Sequence, residues 1–100
     1  MEGRCLVPVR GFYESWTKRP DRRGTDIRFT MPGRSVFLLA GVCDGERFSV
    51  VTTKPNADVG AYHTRMPLVL GAGESGTWLG DGFGSLANRS HIRLDAMPED

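Results

Sequence analysis

Val36-Phe37-Leu38-Leu39-Ala40-Gly41-Val42 is an unbroken apolar run, followed by Cys43-Asp44-Gly45-Glu46 and then by Arg47-Phe48-Ser49-Val50-Val51-Thr52-Thr53. The first run lacks polar–apolar alternation, so it predicts a central strand covered on both faces rather than a strand with one wet side. The second is rich in β-branched residues and predicts another strand, with Asp44-Gly45 between them as a hairpin signal. Working outward, Asp26-Ile27-Arg28-Phe29-Thr30-Met31 and Cys5-Leu6-Val7-Pro8-Val9 also read as strands, and Pro20-Asp21, Arg23-Gly24 and Pro32-Gly33 supply the turns. The middle of the chain is therefore expected to be an antiparallel meander. Pro55-Asn56-Ala57-Asp58 breaks the sheet, and residues 57–62 predict one helical turn with Asn56 as its N-cap. Met66-Pro67-Leu68-Val69-Leu70 returns to strand. Glycine is dense from Gly71 onward, Gly80-Asp81-Gly82-Phe83-Gly84 reads as a mobile loop, and His91-Ile92-Arg93-Leu94 as a last strand. The fold class is α+β, β-rich, in a single domain.

Composition agrees with an ordinary globular domain: 100 residues, 39% hydrophobic, 25% charged, 13 glycines and 6 prolines. These values exclude collagen, coiled coil and a disordered chain. No apolar run approaches the roughly 20 residues that cross a bilayer. Met1-Glu2-Gly3-Arg4 lacks the basic-then-apolar layout of a secretory signal, so the expectation is a cytoplasmic protein with no membrane partner. Cys5 and Cys43 belong to no CxxC motif, and His63 and His91 are far apart in sequence, so no metal, no cofactor and no disulfide are expected. The formal net charge of +1 hides an asymmetry: residues 1–34 hold 8 of the 13 basic side chains and 4 of the 12 acidic ones. Nearly all the basic residues are arginines, whose planar fork suits phosphates and base edges. A solvated arginine-rich surface explains the same composition equally well.

Two residues stand out for chemistry. Glu14 directly follows Gly11-Phe12-Tyr13, where an apolar strand segment can desolvate a carboxyl, raise its pKa and suit it to acid/base work. An exposed glutamate at a strand end is the other reading. His63 lies in Tyr62-His63-Thr64-Arg65-Met66-Pro67, beside an arginine and before a strand, placed either to move a proton next to a phosphate or simply to bond to backbone. Of Phe12, Tyr13 and Trp16, at least two are expected in the core rather than stacked on bases.

Four ordered blocks carry a resemblance. Arg4-Cys5-Leu6-Val7-Pro8 leading into Gly11-Phe12-Tyr13-Glu14, then Phe37-Leu38-Leu39-Ala40-Gly41-Val42, then Phe48-Ser49-Val50-Val51-Thr52-Thr53-Lys54-Pro55-Asn56, then His63-Thr64-Arg65-Met66-Pro67-Leu68-Val69-Leu70 resemble the SRAP family, the SOS response-associated peptidases or abasic site processing proteins. The resemblance is strongest over residues 4–79 and poor over 80–100. It implies a β-rich mixed fold that binds single-stranded DNA and covalently captures abasic sites through an N-terminal cysteine, whose amine forms a Schiff base and whose thiol closes a thiazolidine. By the same resemblance, Glu14 and His63 are the catalytic acid/base residues, Arg65 contacts a DNA phosphate and Thr52 lines the pocket.

The departures from the family pattern are as informative. Position 2 is Glu2, so the cross-linking cysteine is not there, and the family's N-terminal portion is not matched. Cys5 matches the structural cysteine of its block and, being internal, has no free α-amine. The resemblance thus implies a partial domain completed by a missing N-terminal segment or a second chain, an enzyme by family whose nucleophile this chain lacks; the alternatives are an inactive single-stranded DNA-binding remnant and a partner-dependent fragment. Ser15 separates Glu14 from Trp16 where most members place tryptophan directly after the glutamate, an insertion expected to swing the ring to the other strand face.

Overall fold

The apolar run at the centre of the sequence is β4 (Phe37–Asp44), the middle strand of the larger of three antiparallel sheets. The computed structural model describes residues 2–99; Met1 and Asp100 lie outside the described residues. β1 (Glu2–Val9) pairs with β4 along its entire length, from Val9 opposite Phe37 to Glu2 opposite Asp44. The other edge of β4 is shared: β8 (Val69–Leu70) pairs with Leu38 and Leu39, and β5 (Arg47–Val50) pairs with residues 41–44. Ala40 marks the exchange, its N–H donating to the Leu68 carbonyl and its own carbonyl accepting from Val51 N–H, both at 2.9 Å. The β4–β5 hairpin turns on Gly45, whose φ of +63° puts glycine at the first of the two loop positions, as a type II′ turn requires.

A second sheet is formed by β2 (Phe12–Ser15), β3 (Asp26–Thr30) and β9 (Asp95–Glu99) in the order β2-β3-β9. β6 (Thr52–Thr53) and β7 (Met66–Pro67) make a short two-stranded ladder. The main core lies between the sheets, where Phe12, Ile27 and Phe29 meet Phe37 and Leu39, closed by Val59, Met66, Ile92 and Leu94. Val59 belongs to the single turn α1 (Ala57–Gly60), and the Asn56 side chain accepts the Val59 N–H as the N-cap that the sequence predicts. A second cluster covers the opposite face of β4: Ala40, Leu68 and Leu70 pack with Trp78 of α2 (Glu74–Leu79) and with Leu86.

Five details differ from the sequence reading. The meander does not run through residues 26–42: β1 occupies one edge of β4 and β8 with β5 the other, so no edge remains for β3, which pairs with β2 and β9 instead. The central strand is covered on both faces only near its middle, since Val36 and Val42 at the ends of the apolar run are both exposed. The 66–70 strand is split at Leu68 between two sheets. The glycine-dense segment contains α2, and Gly80–Gly84 falls mostly within a 3₁₀ stretch at Asp81–Leu86 rather than an open loop. Trp78 anchors this region by donating from Nε1 to the carbonyls of Cys5 (2.9 Å) and Gly41 (3.2 Å). Residues 91–94 are not a strand, because their backbone is claimed by side chains around α1: the Ile92 carbonyl accepts from Asn56 Nδ2 at 2.9 Å and the Leu94 N–H donates to Asp58 at 2.9 Å. The last strand begins one residue later, at Asp95.

Candidate functional site

Strand alternation places Glu14 on the same face of β2 as Phe12. Phe12 is buried in the core, while Tyr13 and Ser15 face outward. Glu14 therefore sits at the rim of the core opposite Ile27, with its side chain only 20% exposed. Burial pushes its carboxyl pKa above the ordinary value, and the nearby His63 charge pulls it part of the way back.

His63 reaches this position from the end of α1. Val59 is fully buried, and its carbonyl accepts from both Tyr62 N–H (2.9 Å) and His63 N–H (3.0 Å), so the core sets the backbone of the histidine. Residues 15–18 then lace onto it: Thr17 N–H donates to the Tyr62 carbonyl at 2.9 Å, and Lys18 Nζ to the Gly60 carbonyl at 2.6 Å. The imidazole has two partners of different kinds. Nδ1 lies 2.8 Å from the Ser15 carbonyl, and Nε2 lies 3.3 Å from Glu14 Oε1. A carbonyl only accepts, so the bond to Ser15 requires a proton on Nδ1. Nε2 of the neutral ring then faces the carboxyl as an acceptor, so a proton carried by either group has the other as its nearest partner. Such a pair can give one proton and take another in the same step with no change in its net charge.

Thr52 and Arg65 form a second pair. The strand register brings β6 beside β7, Thr52 opposite Pro67, and Arg65 Nη2 donates to Thr52 Oγ1 at 3.0 Å. Both residues are exposed. The segment His63-Thr64-Arg65 joins the two pairs. The structure thus brings together Glu14 with His63 and Thr52 with Arg65. Neighbouring Thr53 is buried, with its hydroxyl on the Ala87 carbonyl at 3.0 Å.

Trp16 lies just past the end of β2 and packs partly into the main core, its ring edge-on to Tyr62 at 4.9 Å. The guanidinium groups of Arg19 and Arg22 lie 5.5 and 4.9 Å from its centre. Of the three aromatics considered as base-stacking residues, Phe12 is in the core, Trp16 is partly buried against it and Tyr13 is 54% exposed. The sequence did not signal the Ser15 carbonyl, because a backbone acceptor has no residue-type signature. Nor did it signal Thr17, whose hydroxyl lies 3.5 Å from His63 Nδ1. His91 belongs elsewhere, 3.2 Å from Glu74, which also binds buried Arg89. Cys5 and Cys43 are free thiols in β1 and β4. Among the described residues no three His, Cys, Asp or Glu side chains cluster as metal ligands, and no helix is long and apolar enough to cross a membrane.

Comparison with known proteins bears on this arrangement. The chain is 28% identical over 87 residues to the abasic site processing protein YoaM of Bacillus subtilis (strain 168), a match covering 76% of this chain and 37% of that protein. It is also 28% identical over 85 residues to the abasic site processing protein YoqW of the same bacterium and of Bacillus phage SPbeta, covering 76% of this chain and 38% of each. The chain thus spans well under half the length of these relatives. A crystal structure of a protein from Bacteroides thetaiotaomicron superposes with a TM-score of 0.77 at 22% identity, over 96% of this chain and 49% of that one, which establishes the fold as a β-rich mixed fold shared with part of a larger protein. The family described as SOS response associated peptidase (SRAP) matches residues 1–97, and the chain belongs to that family.

Proposed function

We propose that this chain is the acid/base and DNA-holding part of an abasic site processing protein, acting on single-stranded DNA in the cytoplasm. The observation that carries the reading is the Glu14–His63 pair, with the imidazole oriented by the Ser15 carbonyl. An abasic sugar exists mainly as a closed hemiacetal. To expose its aldehyde, a proton must reach the ring oxygen while another leaves the anomeric hydroxyl. One carboxyl–imidazole pair sharing one proton is suited to that exchange. Arg65, steadied by Thr52, offers a guanidinium to a backbone phosphate, and the arginine-rich first third of the chain adds counterion-releasing contacts.

Durable capture of an aldehyde by thiazolidine formation needs a free amine and a thiol on one residue. Cys5 and Cys43 are internal to β1 and β4 and have no α-amine, so in this reading the nucleophile comes from outside the described residues. That observation also favours a second reading, a DNA-binding remnant without chemistry. A single strand carrying one abasic site, with methoxyamine as the added amine, separates the two. The acid/base reading expects binding that weakens with salt, and oxime formation at least about tenfold faster than on free DNA, abolished by Glu14→Gln. Salt-dependent binding without acceleration would leave the remnant reading. Binding indifferent to salt would remove both.

A further inference from the structure

The two cysteines lie far from each other in sequence and belong to no CxxC motif, yet the β1–β4 register makes them diagonal neighbours. Gly3 stands opposite Cys43 and Cys5 opposite Gly41, so the two thiols occupy one diagonal of a four-residue square with glycines at the other corners. Residues so related project from the same face of a sheet. Cys5 Sγ leans over Gly41, and Cys43 Sγ turns to the Gly3 carbonyl. A Cβ added at Gly41 would lie 2.9 Å from Cys5 Sγ, and Cys43 Sγ is 3.4 Å from the Gly3 carbonyl. Both therefore sit over the seam between the strands.

This end of the face extends past the main core. Val7, Val9, Phe37, Leu39 and Val50 are packed from the second sheet, whereas Cys5 and Cys43 line an open cavity with Phe48, which is 60% exposed. The thiols thus share one face and one cavity and are reachable from solvent. We propose that Cys5 and Cys43 form a dithiol site for thiol–disulfide exchange, which reacts with small disulfides such as oxidised glutathione and closes to an internal bond between β1 and β4.

In the first step one cysteine thiolate attacks the small disulfide, forming a mixed disulfide and releasing one glutathione thiolate. In the second, the other cysteine thiolate attacks the protein sulfur of that mixed disulfide, forming the Sγ–Sγ bond and releasing the second glutathione thiolate. Two protein thiols are oxidised, one disulfide is reduced to two thiols, and the protons pass through solvent to the leaving groups. Burial, and then the adjacent Cys43 thiol, raise the pKa of Cys5. Diagonal neighbours in a sheet stand about 7–8 Å apart, beyond the roughly 7 Å that a disulfide spans without backbone movement, so closing the bond draws β1 and β4 together locally. At Gly41 the absence of a Cβ, which would stand 2.9 Å from Cys5 Sγ, leaves that thiol room to turn along the seam.

The site is independent of the Glu14–His63 pair, and its test uses the intact chain without DNA. The folded protein is equilibrated with mixtures of oxidised and reduced glutathione, quenched with acid, and weighed by intact-mass spectrometry. The expected product has lost two hydrogens and carries no glutathione, whereas Cys5→Ser carries one glutathione on Cys43. The internal bond should be favoured at least about tenfold over that formed in the urea-unfolded chain, and it should raise the melting temperature. A folded chain that stays reduced, that retains two glutathiones, or that closes the bond no better than the unfolded chain would overturn the proposal.

Discussion

His63 Nε2 lies 3.3 Å from Glu14 Oε1 while the other nitrogen of the same ring is held 2.8 Å from the Ser15 carbonyl, so one backbone acceptor decides which end of the imidazole faces the carboxyl. The consequence is a facing carboxyl and imidazole at a rim position where neither group is fully hydrated. With the Nδ1–H form imposed by Ser15, nitrogen-15 NMR of the neutral ring is expected to show an unprotonated Nε2. The opposite tautomer would remove the basis for proton sharing.

Burial raises the Glu14 pKa and the His63 charge lowers it. His63→Gln removes the charge while largely filling the space, so the Glu14 midpoint, followed by carbon-13 NMR, is expected to rise further. A fall would mean that hydration through the altered pocket outweighs the lost charge. The linkage has a definite sign. Because the folded carboxyl holds its proton to higher pH than the unfolded one, this group makes folding stability fall as pH rises from the ordinary glutamate range through the folded midpoint. Glu14→Gln should flatten that part of the stability–pH curve.

Glu74 behaves in the opposite sense. Burial works to raise its pKa, but the bonds from Arg89 and from Gly71 N–H, the Arg89 charge and the bond from His91 outweigh it, and the net shift is downward. Its contribution to stability is therefore present above the ordinary glutamate range and is lost as pH falls through the depressed midpoint. Glu74→Gln should be less stable than the native chain near neutrality and should approach it in acid, as read from urea midpoints at several pH values.

Trp78 is 5% exposed and ties α2 to both β1 and β4. Trp78→Ala is expected to cost about 3–5 kcal/mol in urea unfolding, from lost burial and an unfilled cavity. Trp78→Phe should cost about 1–3 kcal/mol, chiefly because two carbonyls lose their donor. Equal costs would show that the Nε1 hydrogen bonds, lost in both variants, hold the helix and that packing adds nothing.

Gly41 is a glycine for lack of room. A Cβ there would meet Cys5 Sγ and Val7 Cγ2, each at 2.9 Å. Gly41→Ala is expected to destabilise by about 1–3 kcal/mol. Adding Cys5→Ala should recover part of this loss and no more, since the Val7 contact remains.

Asn56 serves α1 and the C-terminal segment together: its Oδ1 caps Val59 N–H while its Nδ2 donates to the carbonyls of Arg89 and Ile92. Asn56→Asp keeps the cap and loses the two donors, for about 1–3 kcal/mol. Asn56→Ala loses the cap as well and should cost about 1 kcal/mol more. Thermal melts of the two variants separate the roles.

What the sequence determined by itself was local. The apolar run at Phe37–Gly41 announces a central strand, Asp44-Gly45 a hairpin, and Asn56 a cap, because each depends on contacts within a few residues or on burial that every side chain in the run demands. Glu14 and His63 were legible as candidates through the family pattern, and the apolar strand before Glu14 already argued for desolvation. Pairing was a different matter. Which strand takes an edge of β4 depends on competition among distant segments, and β1 wins the edge that a meander would have given to β3. The split at Leu68 and the displacement of the last strand from residues 91–94 to Asp95–Glu99 likewise follow from hydrogen bonds made by Ala40, Val51, Asn56 and Asp58, partners remote in sequence. The 3.3 Å approach of Glu14 to His63, the orienting Ser15 carbonyl and the Cys5–Cys43 diagonal all arise from register and core packing. Only the folded chain brings such residues within reach of one another.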